Sequence, residues 1–318
     1  MEKKSTQLRK LLQGEELLVM VVVGTAHEAQ LAEKVGFKAL GISGSNTSSQ
    51  ILGLPDAGLI TLTELVENVE RICRAVDLPV RVDCDTGFGN AINVRRTVES
   101  VIRAGAAALF IEDQFAPKRC GFVKGKQLIP LEEAVGKYRA AIDVRDELDP
   151  DVIIMARTDV RGAAGGSVDE VIRRGRAYLD AGVDIFYAEA LQSRDEIRQV
   201  RSALKGCLLR VTTNAIKPPL TQEEYKELGL CLPSTHISNV GTIAMYDFLL
   251  DFKKRGVAAH EEFKQRTKDH PMGNFGIFDL TGFPRVAEWE TKYLSAEKRQ
   301  HYDSSLGIYD PRAGKGKG

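Results

Sequence analysis

The chain lacks most of the features that would fix its class at a glance. Its charge leans neither way: 44 basic and 44 acidic residues cancel, so nothing points to a nucleic-acid surface or an acidic partner. Cysteine is sparse, five residues in 318 (Cys73, Cys84, Cys120, Cys207 and Cys231), and no two form a CxxC pair. That argues against a disulfide framework or a zinc site and fits a reducing compartment, the cytoplasm. Long apolar runs are missing. The first, 17–23, is too short for a signal segment with its flanks or for a membrane span, and no membrane partner is expected. There is also no GxGxxG fingerprint, which disfavours an open dinucleotide-binding sheet. A chain of 318 residues nevertheless buries a sizeable core without staples.

What is present is a rhythm. A short apolar run, a polar or Gly turn and a longer amphipathic segment recur eight times. The spacing predicts strands at 19–23, 39–43, 80–84, 109–112, 152–156, 185–188, 207–211 and 230–233. Continuous β-branched runs suit parallel strands buried on both faces. Helical patterns lie between them, at 62–75, 93–104, 130–147, 168–181 and 194–204. Gly36, Gly105 and Gly182 each stand where a helix should end in a left-handed cap, and Thr61, Ser167 and Ser193 where one should begin. Eight strand–helix units predict a (β/α)8 TIM barrel over residues 1–240, with its chemistry at the C-terminal strand ends. Residues 241–300 read as C-terminal helices packing on the barrel or on a neighbouring subunit, around 242–254, 259–266 and 286–294. Their apolar residues Met245, Phe248, Leu249, Phe252 and Phe263 predict a homo-oligomer. The Gly/Lys-rich end, 301–318, reads as a disordered tail.

Four acids stand at two consecutive strand ends: Asp83 and Asp85, then Glu112 and Asp113. Carboxylates gathered there need an offset, and a hard cation is the usual one. Asp83 and Asp85, two apart, would share a face of a regular strand and flank one Mg2+ (or Mn2+), with Glu112 reaching it directly or through water. The alternative is that these acids cap helices or pair with Arg81 or Arg119. Ser43, Gly44 and Ser45 close the second strand with hydroxyls and free N–H groups suited to an anion, or form an ordinary turn. Cys120 follows two cations, Lys118 and Arg119, on a Gly-flanked loop, which favours a working thiol over a structural one. Arg157 closes the fifth strand as a carboxylate clamp or as a salt bridge to Asp159 or Glu189. Glu189 closes the sixth, and a lone His236 the eighth.

In this order and at this spacing the chain resembles the isocitrate lyase and phosphoenolpyruvate mutase superfamily. The matching segments are Ser43-Gly44-Ser45, Leu52-Gly53-Leu54-Pro55-Asp56, Asp83-Cys84-Asp85-Thr86-Gly87-Phe88-Gly89-Asn90 and Ile111-Glu112-Asp113-Gln114, then Lys118-Arg119-Cys120-Gly121, Ala156-Arg157-Thr158-Asp159 and Glu189-Ala190. The loop around Cys120 and Glu189 resemble the branch of 2-methylisocitrate and 2,3-dimethylmalate lyases. The resemblance implies Mg2+-dependent retro-aldol cleavage of a small 2-hydroxy dicarboxylate into a 2-oxo acid and a second acid. Asp83, Asp85 and Glu112 would serve the metal; Cys120, as proton donor, Arg157 and Glu189 the catalysis. Ser43, Gly44, Ser45, Asp56, Lys118, Gly121, Arg157 and Thr213 would contact substrate. A C-terminal helix exchanged between subunits of a homotetramer is implied as well.

The chain departs from that pattern in places. Phe122 stands where the lyase loop has His, and Val211 and Asn214 where lyases carry Asn and Glu. Gly41 replaces a usual tyrosine, and the loop Gly24-Thr25-Ala26-His27 is short. Phe122 should dry the Cys120 thiol and raise its pKa, while Lys118 and Arg119 pull it down. Val211 should remove a partner for a distal carboxylate, favouring a substrate smaller or more apolar there than methylisocitrate. The stretch 211–219 resembles the phosphonopyruvate-processing branch, so P–C chemistry stays open. So do oxaloacetate-type hydrolysis or decarboxylation, and a non-catalytic homologue.

Overall fold

In the computed structural model, which describes residues 2–312, eight short strands run parallel: β1 (Met20–Val23), β2 (Leu40–Ile42), β3 (Val80–Asp83), β4 (Ala108–Glu112), β5 (Ile153–Thr158), β6 (Ile185–Ala188), β7 (Leu208–Val211) and β8 (Ser234–His236). They pair in the order β7-β6-β5-β4-β3-β2-β1-β8. The remaining seam is bridged by the parallel pair Leu209–Leu230, where the Cys231 N–H donates to the Leu209 carbonyl at 2.9 Å. The result is a TIM-barrel-like α/β fold. Seven strands fall on the runs read from the sequence. The eighth is displaced from 230–233 to Ser234–His236, because Leu232 takes a left-handed φ of 54° and Pro233 has no N–H for a ladder. The Met20 N–H donates instead to the Pro233 carbonyl, and β8 starts one residue later.

Alternation along each strand sorts side chains into two sets. Val21, Leu40, Val82, Ile111, Phe186 and Val211 face outward into the core shared with the helices. Met20, Phe110, Met155, Ile185 and Tyr187 face inward, together with Leu8 from the N-terminal helix Lys4–Gln13. The helices begin and end where local chemistry dictates. Thr61, Ser167 and Ser193 each accept the N–H three residues on. Gly36, Gly105 and Gly182 take φ of 101°, 104° and 100°, returning the chain to the sheet.

The chain divides into two compact units, Met1–Ser238 and Asn239–Gly318. The second consists of helices, the longest being Ser238–Arg255 (which starts on the last residue of the first unit), Val257–Arg266 and Phe283–Tyr293. Phe248 packs against Phe263 at 5.2 Å between ring centroids, while Met245, Leu249 and Phe252 stay exposed. His301–Ser304 is helical; of the stretch read as a disordered tail, residues 313–318 lie outside the described residues.

Candidate functional site

The acids at the ends of β3 and β4 do three different jobs. Asp83 accepts two backbone N–H groups, from Asp85 at 3.0 Å and from Gly44 at 3.2 Å, and so braces the turn. Asp85 lies two residues past the end of β3. Its φ is left-handed, 47°, yet its carbonyl still accepts the Glu112 N–H at 2.8 Å, and its carboxylate, like that of Asp83, lies against Gly44. There its Oδ1 is buried and lies 2.9 Å from Lys118 Nζ as an ion pair. Gly44 makes the approach possible, since a Cβ there would sit 2.5 Å from that oxygen. Glu112 accepts from Gln114 Nε2 at 3.0 Å and faces Arg157 Nε at 3.3 Å. Asp113, the next residue, points the opposite way. It takes bonds from Arg174 Nη1 (3.0 Å), Tyr178 OH (2.7 Å) and the Asp159 N–H (3.0 Å), locking the sheet to its helices.

Burial, reinforced by Asp83, pushes Asp85 up to about 6 despite Lys118. Burial likewise raises Glu112, against the pull of Arg157. The loop after β4 closes over this set. Lys118 reaches the Asp56 carboxylate as well as Asp85, and the Cys120 N–H donates to the Asp56 carbonyl at 3.1 Å. Gln114 holds the loop by both ends of its amide, to the Arg119 carbonyl at 2.8 Å and the Arg119 N–H at 3.1 Å. Gly121 needs to be glycine for space: a Cβ would lie 2.8 Å from Arg157 Nη2 and 2.9 Å from Glu189 Oε1. Burial first, and with it Asp56, raises the Cys120 thiol pKa; the Phe122 backbone N–H opposes this, and Lys118 does so more weakly. This settles the sign left open by the sequence, and for a different reason. Lys118 is spent on two carboxylates, while Phe122 is 64% exposed and dries nothing.

Arg157 is already engaged. Its Nε and Nη2 fork onto Asp159 at 2.8 and 2.9 Å, with Glu189 at 3.8 Å. Glu189 is buried, yet its pKa is lowered; burial opposes this, but Arg157 and the hydroxyls of Thr212 and Tyr187 outweigh it. Tyr187 OH donates to Glu189 at 2.7 Å, and Thr212 also reaches it. Thr213 turns to Tyr225 OH at 2.8 Å. Ser43 caps the short helix Gly44–Thr47 by accepting from the Asn46 N–H at 3.0 Å, and Ser45 stands half-buried beside it. Val211 packs in the outer core, so its expected place beside a distal carboxylate does not hold. The inward positions of β7 and its end are Arg210 and Thr212. Arg210, Tyr187 and Thr212 escaped the sequence reading, and Arg81 entered it only as an alternative partner for the acids, although polar residues alternating through apolar strands were the available signal.

Among the described residues no three His, Cys, Asp or Glu side chains converge as a closed metal cage. A hard cation that keeps its waters needs fewer. The donor set is all oxygen, Asp85 Oδ1 is buried and faces only the side chain of Lys118 rather than a backbone donor, and Gly44 carries no Cβ to crowd it. These residues fit Mg2+.

Comparison with known proteins agrees with this geometry. The family model described as phosphoenolpyruvate phosphomutase matches residues 8–239. Isocitrate lyase of Haloferax volcanii is 35% identical over 329 residues, covering 98% of this chain and 92% of the relative. 2,3-Dimethylmalate lyase of Eubacterium barkeri is 36% identical over 298 residues, with 92% and 98% covered. 2-Methylisocitrate lyase of Aeropyrum pernix is 43% identical over 230 residues, 72% of each. Among solved structures, a 2,3-dimethylmalate lyase of the PEP mutase/isocitrate lyase superfamily superimposes with a TM-score of 0.82 at 30% identity, covering 97% of this chain and 100% of that one. A phosphonopyruvate hydrolase in complex with oxalate and Mg2+ superimposes with a TM-score of 0.79 at 29% identity, covering 92% and 100%.

Proposed function

The chain belongs to the phosphoenolpyruvate phosphomutase family, and from that premise we propose that it is a Mg2+-dependent carbon–carbon lyase. Its substrate is a small 2-hydroxy dicarboxylate, cleaved to a 2-oxo acid and a second carboxylic acid. The observation that carries this reading is the loop of Cys120 lying over the buried acid–arginine set, its Gly121 packed against Arg157 and Glu189; burial there raises the thiol toward its acid form. A thiol kept in its acid form beside Asp56 and Lys118 is placed to give a proton to carbon.

Asp85 would hold Mg2+, or Mn2+, with Asp83 and Glu112 reaching it directly or through water. Bound there, the ion supplies a Lewis acid for the substrate oxygens. The chain's own groups account for the rest. Lys118 and the Ser45 N–H orient carboxylate oxygens. Glu189, ionised at neutral pH, receives the hydroxyl proton. The bond between the hydroxyl carbon and its neighbour breaks, leaving the 2-oxo acid. The electron pair passes to the departing carbon and its carboxylate, and Cys120 protonates that carbon. Exchange with solvent restores both residues. Gly121, against Arg157 and Glu189, lets the loop exclude water.

We also propose a homotetramer in the cytoplasm. Exposed apolar side chains on the helices after residue 238 support the assembly, and five free cysteines suit a reducing compartment. No described helix is long and apolar enough to cross a membrane. The test is a screen of 2-hydroxy and 2-oxo diacids with Mg2+, reading 2-oxo acid by enzymatic reduction. Mg2+-dependent product from a 2-hydroxy diacid supports the reading. Phosphate from phosphonopyruvate would favour the second reading, P–C cleavage, which the stretch 211–219 supports. Oxalate and acetate from oxaloacetate would favour hydrolysis. No turnover on any acid would mark a non-catalytic homologue.

A further inference from the structure

We infer that Arg81 and Arg210 form an anion-binding subsite inside the barrel, beneath the acid platform, that takes one carboxylate of a small diacid. The two residues occupy inward positions on β3 and β7, each two residues before a mouth residue, Asp83 and Thr212. They are 2% and 8% exposed, and the Nε and Nη1 atoms of both are buried with no hydrogen-bond partner among the described residues. Neither guanidinium has a salt-bridge partner there either. Two buried, mutually repelling cations with idle donors are costly, and an anion received between them offsets that cost.

The surroundings hold the guanidinium planes and leave edges free. Arg210 lies over the Tyr187 ring at 3.9 Å and gives only Nη2, to Ser234 Oγ at 3.0 Å. Arg81 lies over Phe110 at 5.2 Å, and Phe110 meets Tyr187 edge to face. Gly41 on β2 makes room for Arg81: a Cβ there would lie 2.6 Å from Nη2. His236 stands within electrostatic reach of both arginines. Its Nδ1 meets Asn46 Oδ1 at 3.1 Å, and the Asn46 amide nitrogen is given to the Val22 carbonyl, so Nδ1 carries the hydrogen. Arg157, by contrast, has its fork on Asp159. A carboxylate seeking guanidinium N–H groups therefore finds idle ones at Arg81 and Arg210.

The subsite rests on the proposed lyase reading only for the identity of the molecule that carries the carboxylate. Its test uses succinate and propionate as probes on the full chain in excess chelator at fixed ionic strength, followed by calorimetric titration and thermal melts. Succinate should bind the wild type at least tenfold more tightly than propionate and raise its Tm. Arg81→Leu and Arg210→Leu should lose that preference while melting, without ligand, no lower than the wild type. Arg81→Lys and Arg210→Lys keep the charge but not the fork; they should lose the preference too, and they serve if a leucine variant does not fold. Equal affinity for the two probes, or succinate binding unchanged in the variants, overturns the subsite. A failed substrate screen with the succinate preference intact would instead remove the lyase reading and leave the subsite standing.

Discussion

Lys118 Nζ lies 2.9 Å from Asp85 Oδ1, so in the metal-free protein an ammonium partly neutralises the oxygen that a divalent cation would seek. The neutralisation is incomplete, because burial still pushes Asp85 up to about 6, against an ordinary value of about 4. Between those values the folded state holds a proton that the unfolded chain has released. Metal-free stability should therefore fall as pH rises through that window. Mg2+ requires the ionised carboxylate, so its stabilisation should grow over the same window. Melts with and without Mg2+ across it check this, and a pH-independent difference would remove Asp85 from metal binding. Asp85→Asn should abolish the Mg2+ shift and metal-dependent turnover without lowering the metal-free Tm.

Seven strands, the helix caps and the gathering of acids at the ends of β3 and β4 were legible because they rest on local rules: apolar runs, left-handed glycines and Ser/Thr before helices. The rest depended on where strands stop. Asp83 and Asp85 read as one face of a regular strand; both carboxylates lie against Gly44, but Asp85 does so past the strand's end, on a left-handed residue. Val211 read as a pocket residue, yet the alternation of β7 put it outside and brought Arg210 and Thr212 in. Cys120 read as a thiol following two cations, yet three-dimensional pairing had spent Lys118 elsewhere. Spacing names the residues near a site; ladder register and ion pairing decide which way they face.

Asp113 provides a control for that lesson. Although adjacent to Glu112, it is bound to Arg174 and Tyr178 in the core. Asp113→Ala should cost about 3 kcal/mol or more, since it strands a buried guanidinium and a phenol. The Tm shift produced by Mg2+ should persist. Urea unfolding with and without Mg2+ reads both, and a lost metal shift in a folded variant would return Asp113 to the metal platform.

Cys120 should behave as an acid. Cys120→Ser is expected to lose turnover by about 10²–10⁴-fold, the usual worth of a positioned proton donor, while keeping its Mg2+ response. Burial and Asp56 raise the thiol, so its alkylation by iodoacetamide should have a midpoint above the ordinary thiol range. Labelling at full rate at neutral pH, or full activity in the serine variant, would make Cys120 a loop thiol only.

The helices after residue 238 leave Met245 and Leu249 each 61% exposed. Apolar area of this kind is normally covered, and a homotetramer would cover it. Light scattering at micromolar concentration should report four chains. Met245→Glu with Leu249→Glu should shift the species toward smaller assemblies. A wild-type monomer under those conditions would exclude the assembly.

Tyr187 and Thr212 should set the acid limb of catalysis through Glu189. Both hydroxyls are bonded to the same carboxylate oxygen, and with Arg157 they keep Glu189 ionised despite its burial. A carboxylate held below its ordinary value adds stability above that value and loses it as pH falls toward the folded one. Tyr187→Phe and Thr212→Val each remove a donor to a charged acceptor, worth about 1.5–3 kcal/mol. That converts to about 10–100-fold in kcat/KM if the ionised form receives the hydroxyl proton. The variants should also move the acid limb of kcat/KM to higher pH, a change that a purely structural role would not produce. Profiles of kcat/KM against pH for both single variants and the double one make the measurement. An acid limb unmoved in the double variant would take Glu189 out of proton transfer and leave it as the electrostatic partner of Arg157.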